Sequence, residues 1–131
     1  MGLDHLGSWP QSDSEIRRKP LRMVTITRDK LLHLIHGREN RILVSIFVST
    51  KMIHQAEFTV PIHGCSELET HNGDEVVYTL KGSLTITFPK TGESFDVKEG
   101  QALLIPEGFE HQYFNFTDQI VKAVFFVAPE L

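Results

Sequence analysis

From Arg41 onward the chain alternates short apolar runs with turn residues. "RILVSIFVST" (41–50) and "QAEFTVPI" (55–62) are rich in Val, Ile, Phe and Thr, the residues that suit a pleated, half-buried surface, and both read as strands. "DEVVYTLKGSLTITFP" (74–89) reads as two strands meeting at Lys81-Gly82. In the second, Leu84, Ile86 and Phe88 alternate with Thr85 and Thr87, the period of two that sends one set of side chains to one face. "KTG" (90–92) is a turn. "SFDVKEGQALLIPEG" (94–108) adds a run with Phe95 and Val97 on one face, a turn at Glu99-Gly100, a strand, and a turn at Pro106–Gly108. "HQYFNFTDQIVKAVFFVAP" (111–129) closes with two more strands around Thr117-Asp118. Many short strands punctuated by Gly and Pro predict an all-β sandwich or barrel. Upstream the pattern changes. "TRDKLLHLIHG" (27–37) fits a short helix, with Thr27 as cap, Leu31, Leu34 and Ile35 on one face and Gly37 as stop; a short strand is the alternative in so small a window. Residues 1–20 are polar, hold two prolines and show no period. They predict an arm that is flexible or docks on a partner, ahead of a single β-barrel domain over 21–131.

Composition narrows the classes. The 131 residues suit one domain, with enough chain to bury a core without disulfides. The formal net charge of −4 argues against a nucleic-acid partner, which needs a basic face. Cys65 is the only cysteine, so no intrachain disulfide forms, and a reducing compartment is expected. No apolar stretch approaches the roughly 20 residues of a membrane helix. The N-terminus has no apolar signal region, and Leu6 stands where a myristoylation motif wants Ser or Thr. The expectation is a soluble, cytoplasmic protein with no membrane partner.

Two stretches carry a resemblance. From Gly100 the chain reads glycine, five residues, Pro106, one, Gly108, two, His111, three, Asn115. This is similar to the second signature of the cupin superfamily at every fixed position. Upstream, "GCSELETHNGDEVVYTLKG" (64–82) resembles the first signature, which runs glycine, five residues, His, one, His, three or four, Glu, six, glycine. Here Gly64 is followed by four residues, then Glu69, Thr70, His71, three residues, Glu75, six residues and Gly82. The resemblance spans roughly residues 40–128, and the short interval between the signatures is that of compact single-domain cupins. It implies a cupin double-stranded β-helix, a jelly-roll barrel that is often dimeric and usually holds one divalent metal. The ligands it implies are the residues at the first signature's two His and Glu positions and the second signature's His.

The departure is at Glu69, which stands where the resemblance wants a histidine. The implied metal set is then Glu69, His71, Glu75 and His111. With Glu69 outside the set, it is His71, Glu75 and His111, a two-His-one-carboxylate group with more open positions. Glu69 and His71 are two apart and share a face if extended. Glu75 follows an Asn-Gly-Asp turn, and His111 comes from another strand. Nitrogen and oxygen donors of this kind suit iron first, with manganese, zinc or nickel as alternatives. His63 lies about 26 Å from His71 along an extended strand and is not expected in the set. His5, His33, His36 and His54 read, like His63, as structural or surface residues. Tyr113 and Asn115 share the direction of His111; Tyr113 is expected to donate a hydrogen bond to substrate, and Glu69, if unligated, to serve as acid–base group.

The function expected from the resemblance is a metal-dependent enzyme acting on a small oxygen-rich molecule, with dioxygenase chemistry ahead. An isomerase, lyase or cyclase using a non-redox metal is the first alternative, and a non-catalytic ligand-binding module the second. A homodimer is expected as well, with the apolar "RILVSIFVST" strand pairing across a two-fold.

Overall fold

The computed structural model describes residues 7–37 and 41–131; His5 lies outside them. Among the described residues nine strands follow in chain order: β1 (Leu32–His36), β2 (Ile42–Ser49), β3 (His54–Val60), β4 (Asp74–Lys81), β5 (Ser83–Phe88), β6 (Glu93–Lys98), β7 (Ala102–Ile105), β8 (Gln112–Phe114) and β9 (Val121–Ala128). All the strand pairs are antiparallel. One sheet runs β1-β2-β3-β9-β4-β7 and the other β6-β5-β8. The two face each other as a jelly-roll barrel. The fold is all-β, as the alternation of apolar residues and turns predicts.

Period-two patterning sets the interior. Along β9, Val121, Ala123, Phe125 and Val127 are buried and the residues between them face outward. Glu75, Val77 and Thr79 do the same on β4, its register partner, so Val77 lies opposite Phe125. Leu84, Ile86 and Phe88 bring the second sheet against them. Phe58 stacks on Phe125 with ring centroids 4.6 Å apart and tilts against Tyr113 at 5.2 Å. Each such buried aromatic or aliphatic side chain stabilises the fold by roughly 1.5–3 kcal/mol relative to exposure. The register turns one glutamate, Glu75, into this apolar interior.

The structure corrects the reading of residues 27–37. No helix forms there. Arg28–Lys30 make one 3-10 turn, and Leu32–His36 are β1, paired with β2 from Leu32 opposite Ile46 to His36 opposite Ile42. The reason is tertiary. A five-residue segment gains little from helical hydrogen bonds, whereas β2 offers it a full ladder. β1 buries His36 and half-buries Leu32 and Leu34 on the same face, leaving His33 and Ile35 exposed. A second correction follows. β2 is flanked by β1 and β3, so "RILVSIFVST" has no free edge to pair across a two-fold.

Of the arm, residues 7–20 are described. Trp9 and Ser49 exchange backbone hydrogen bonds of 2.9 and 2.8 Å, and the Trp9 indole donates to the Lys30 carbonyl at 3.2 Å. Ser12 caps a four-residue helix, α1 (Asp13–Ile16), by accepting from the Glu15 amide. Residues 17–25 are exposed. No helix among the described residues is long and apolar enough to cross a membrane.

Candidate metal centre

The two signature stretches lie side by side, zipped by main-chain hydrogen bonds. Asn115 donates to the Gly64 carbonyl, Ser66 to that of Tyr113, and Glu69 and His111 exchange bonds of 2.9 and 3.0 Å. Residues facing across such a pair send their side chains to the same face. Glu69 and His111 therefore both point toward the barrel interior. The turn that precedes His111 is tied to the turn that follows His71. The Gly108 amide donates to the His71 carbonyl at 3.1 Å, and the Glu107 amide donates to Asp74 Oδ1 at 2.9 Å. Gly108 has φ +84°, a conformation glycine adopts without a Cβ penalty. Gly73 is needed for a different reason: a Cβ there would lie 2.5 Å from the Ala128 carbonyl oxygen. That close approach lets the chain turn between His71 and Glu75.

The result is a buried donor group. His71 Nε2 is 3.0 Å and His111 Nε2 is 3.3 Å from the same oxygen, Glu75 Oε1. The two imidazole rings lie 5.2 Å apart. Glu75 and His111 are 1% exposed and His71 is 6% exposed. The atoms are close but not aligned as donor and acceptor. Glu75 Oε1, His111 Nε2, His71 Nδ1 and Glu69 Oε1 are all buried with no hydrogen-bond partner. Leaving such atoms unsatisfied costs about 1–3 kcal/mol each, and more when charged.

Neighbouring groups fix the orientation of these donors. His111 Nδ1 lies 2.8 Å from the Phe109 carbonyl, which can only accept, so Nδ1 carries the proton and Nε2 faces Glu75. The Tyr113 hydroxyl donates to Glu75 Oε2, leaving Oε1 toward the histidines. Burial pushes the Glu75 carboxyl upward, but the His111 and His71 imidazoles beside it outweigh burial and hold the group below its ordinary value. His111 mirrors this: burial pulls it down, and the Glu75 carboxylate, with smaller help from the Phe109 carbonyl and Glu69, raises it above the ordinary imidazole value.

A cavity of about 10 Å³ adjoins this group, lined by His36, Glu69, His71, Glu75, Tyr113 and apolar neighbours including Phe58. That is room for one water-sized sphere. The group His71, Glu75 and His111, whose ligand atoms lie within 4.8 Å of one another, suits a divalent cation. Larger hollows lie elsewhere: about 650 Å³ between the arm and β2, near Trp9, Arg18 and Met23, and about 190 Å³ outside the Pro106–Glu110 turn. Neither brings metal donors together among the described residues.

Of the residues expected at the site, His71, Glu75 and His111 converge, and Tyr113 supports Glu75. Glu69 sits beside them but turns its Oε1 to His36 Nε2, 3.1 Å away. His36 is the residue missed. It is 6% exposed and forms, with Glu67 and Glu69, a second donor group. Reading 27–37 as a strand exposes the signal, since His36 then follows Leu32 and Leu34 on the inner face. Asn115 is buried but works structurally, donating to the Val60, Pro61 and Gln119 carbonyls. Cys65 is held as a thiol by burial, against a weaker opposing effect from Gln112.

A jelly-roll barrel with a His/Glu donor set at its interior defines a class, and comparison places the chain within it. The pattern of the cupin domain matches residues 56–127, more than half of the sequence, so the chain belongs to the cupin family. It is similar in structure to the polyketide cyclase RemF from Streptomyces resistomycificus, at 20% identity and TM-score 0.69 over 83% of this chain and 81% of that one. It is also similar to a predicted oxalate decarboxylase from Thermotoga maritima, at 15% identity and TM-score 0.70 over 82% of this chain and 100% of that one. FeII HppE matches at 16% identity and TM-score 0.70, over 80% of this chain and 60% of that one. A comparison with curated proteins by sequence gives no match. At these identities the structural likenesses speak for the fold.

Proposed function

We propose that this cupin is a metal-dependent enzyme acting on a small oxygen-rich organic molecule, in the first instance a dioxygenase with mononuclear iron. The observation that carries the reading is the convergence of two imidazoles and one carboxylate with unsatisfied, buried donor atoms. A two-His-one-carboxylate set leaves coordination positions open, the arrangement of non-haem Fe(II) oxygenases. Bound there, the metal supplies redox and Lewis-acid chemistry. His71, Glu75 and His111 are its ligands, with Glu69 at the mouth as fourth ligand or as acid–base group. Phe109 fixes the His111 tautomer through its carbonyl, and Tyr113 holds Glu75 through its hydroxyl. The 10 Å³ cavity admits no organic molecule as it stands, so substrate must displace groups at the mouth, where Glu69 is the most exposed of the polar lining residues.

A second reading rests on Glu69. Its unpartnered Oε1 faces the cavity beside His36, placed to move a proton on a substrate polarised by a non-redox metal such as zinc or manganese. That gives an isomerase, lyase or cyclase. A non-catalytic ligand-binding module is the remaining reading. The same proposal includes a homodimer. Val76, Tyr78, Leu104 and Phe126 are exposed on the outer face of the large sheet, and register places Val76 beside both Leu104 and Phe126. A monomeric mass by light scattering at micromolar concentration would remove the dimer.

The test is metal analysis followed by oxygen uptake. Near-stoichiometric iron and oxygen consumption with a diol or diketone, both lost in His111→Ala, support the dioxygenase. Turnover with zinc or manganese and no oxygen consumed moves the assignment to the second reading. Tight ligand binding with no turnover in any metal form leaves the binding module.

A further inference from the structure

The end of β1 and the first signature stretch close on each other. Gly37, just past β1, has φ +103°, and a Cβ there would lie 2.7 Å from the Cys65 carbonyl oxygen. Without that atom the chain after β1 settles against Cys65, and His36 arrives beside Glu67 and Glu69. The stretch is held from its other side as well. Ser66 donates to the Tyr113 carbonyl, the Tyr113 amide donates to Ser66 Oγ at 2.9 Å, and Glu69 and His111 exchange main-chain bonds. One ligand atom from each of His36, Glu67 and Glu69 lies within 4.8 Å of the others. His36 Nε2 accepts from the Glu67 amide at 3.3 Å, so it carries a lone pair and no proton. Glu69 Oε1 lies 3.1 Å from that nitrogen, is buried, and has no hydrogen-bond partner. Two electron-rich atoms thus face each other with no hydrogen between them. Two ligands each about 2.1 Å from one ion stand about 3.0–3.4 Å apart, so this separation matches an edge of a coordination shell.

We propose that His36, Glu67 and Glu69 bind a second divalent cation at the mouth of the cavity, outside the group of His71, Glu75 and His111. The cation takes the Nε2 lone pair in place of the long amide bond and gives Glu69 Oε1 the partner it lacks. This goes beyond the function proposed above and does not require the inner centre to be filled. One imidazole with two carboxylates is a harder set than the inner one, which suits Mn(II) or Zn(II). Three protein donors leave positions for water or for an oxygen of a small molecule. The ion also offsets the two negative charges that Glu67 and Glu69 set beside the cavity.

Mn(II) added to metal-free protein is the probe. Free ion is counted by its paramagnetic resonance signal up to about 1 mM, where a site of that dissociation constant is half filled. The unaltered protein binds two ions per chain. Glu67→Ala and His36→Phe each lose one. Glu67 is the less buried of the two, so its variant keeps the test open if the histidine variant does not fold. His111→Ala loses the other ion and keeps the outer one. A single ion in the unaltered protein, retained in Glu67→Ala and lost in His111→Ala, overturns the second site and leaves the inner centre standing. A single ion lost in Glu67→Ala and kept in His111→Ala supports the outer site and removes the inner centre instead. Two ions surviving in either folded outer variant place the second ion elsewhere and overturn the proposal. So does the absence of any bound ion at about 1 mM.

Discussion

The inner donors His71, Glu75 and His111 and the outer donors His36, Glu67 and Glu69 share one end of the barrel and differ in how the fold treats them. The inner atoms are almost wholly buried, crowd one carboxylate oxygen and lack directed hydrogen bonds. The outer set is more open, and its histidine has both an amide and a carboxylate in reach. A fold tolerates a buried charge that its own residues leave unsatisfied only where something else completes it. Closeness of His and Glu is common to both groups. The burial of all three of its residues is what marks the inner one.

Breaking the inner group has the largest expected effect. His111→Ala loses metal by more than the roughly 10–100-fold that changes behind the ligands cost, measured by chelator competition on folded protein. Tyr113→Phe comes next. Without its hydroxyl Glu75 Oε2 is unsatisfied and the carboxylate is free to rotate, so metal affinity falls by roughly 10–100-fold while circular dichroism is unchanged. Gly73→Ala acts on geometry alone. Its Cβ meets the Ala128 carbonyl, lowering stability by about 1–3 kcal/mol in urea and separating His71 from Glu75. The outer group responds to none of these directly, which sharpens the contrast.

The smallest effect is in pH. The raised His111 value means that, in metal-free protein, the stability from its pairing with Glu75 is fully present below about pH 6.5 and is lost as pH rises through the folded value. The lowered Glu75 value gives stability present above about pH 4.3 and lost as pH falls through its folded value. Metal requires His111 without its second proton, so its stabilisation grows as pH rises. Melting curves near pH 6 and pH 8 should show metal-free protein losing Tm while the increment from metal increases. An increment that shrinks toward pH 8 would contradict this charge assignment.

The members of the inner group were named through the resemblance of residues 64–82 and 100–115 to two family signatures; that the two stretches pair, with Glu69 opposite His111, is encoded in neither. The strands of 41–129 were legible because their alternation reports burial directly. His36 was not. In "LLHLIH" apolar residues fall at both helical and strand spacings, and only β2, which the segment itself does not encode, decides between them. The Glu69 carboxylate was undecided for the same reason, since its neighbour His36 comes from that strand. The misplaced dimer edge has this origin too: an apolar strand announces burial but not which neighbours supply it.

The crossed ties between the two turns, Gly108 to His71 and Glu107 to Asp74, fasten the two sequence-distant halves of the donor group at places no donor occupies. Asp74 does so with its side chain, so the separation of His71 from His111 is open to adjustment by a substitution that leaves all three donors in place.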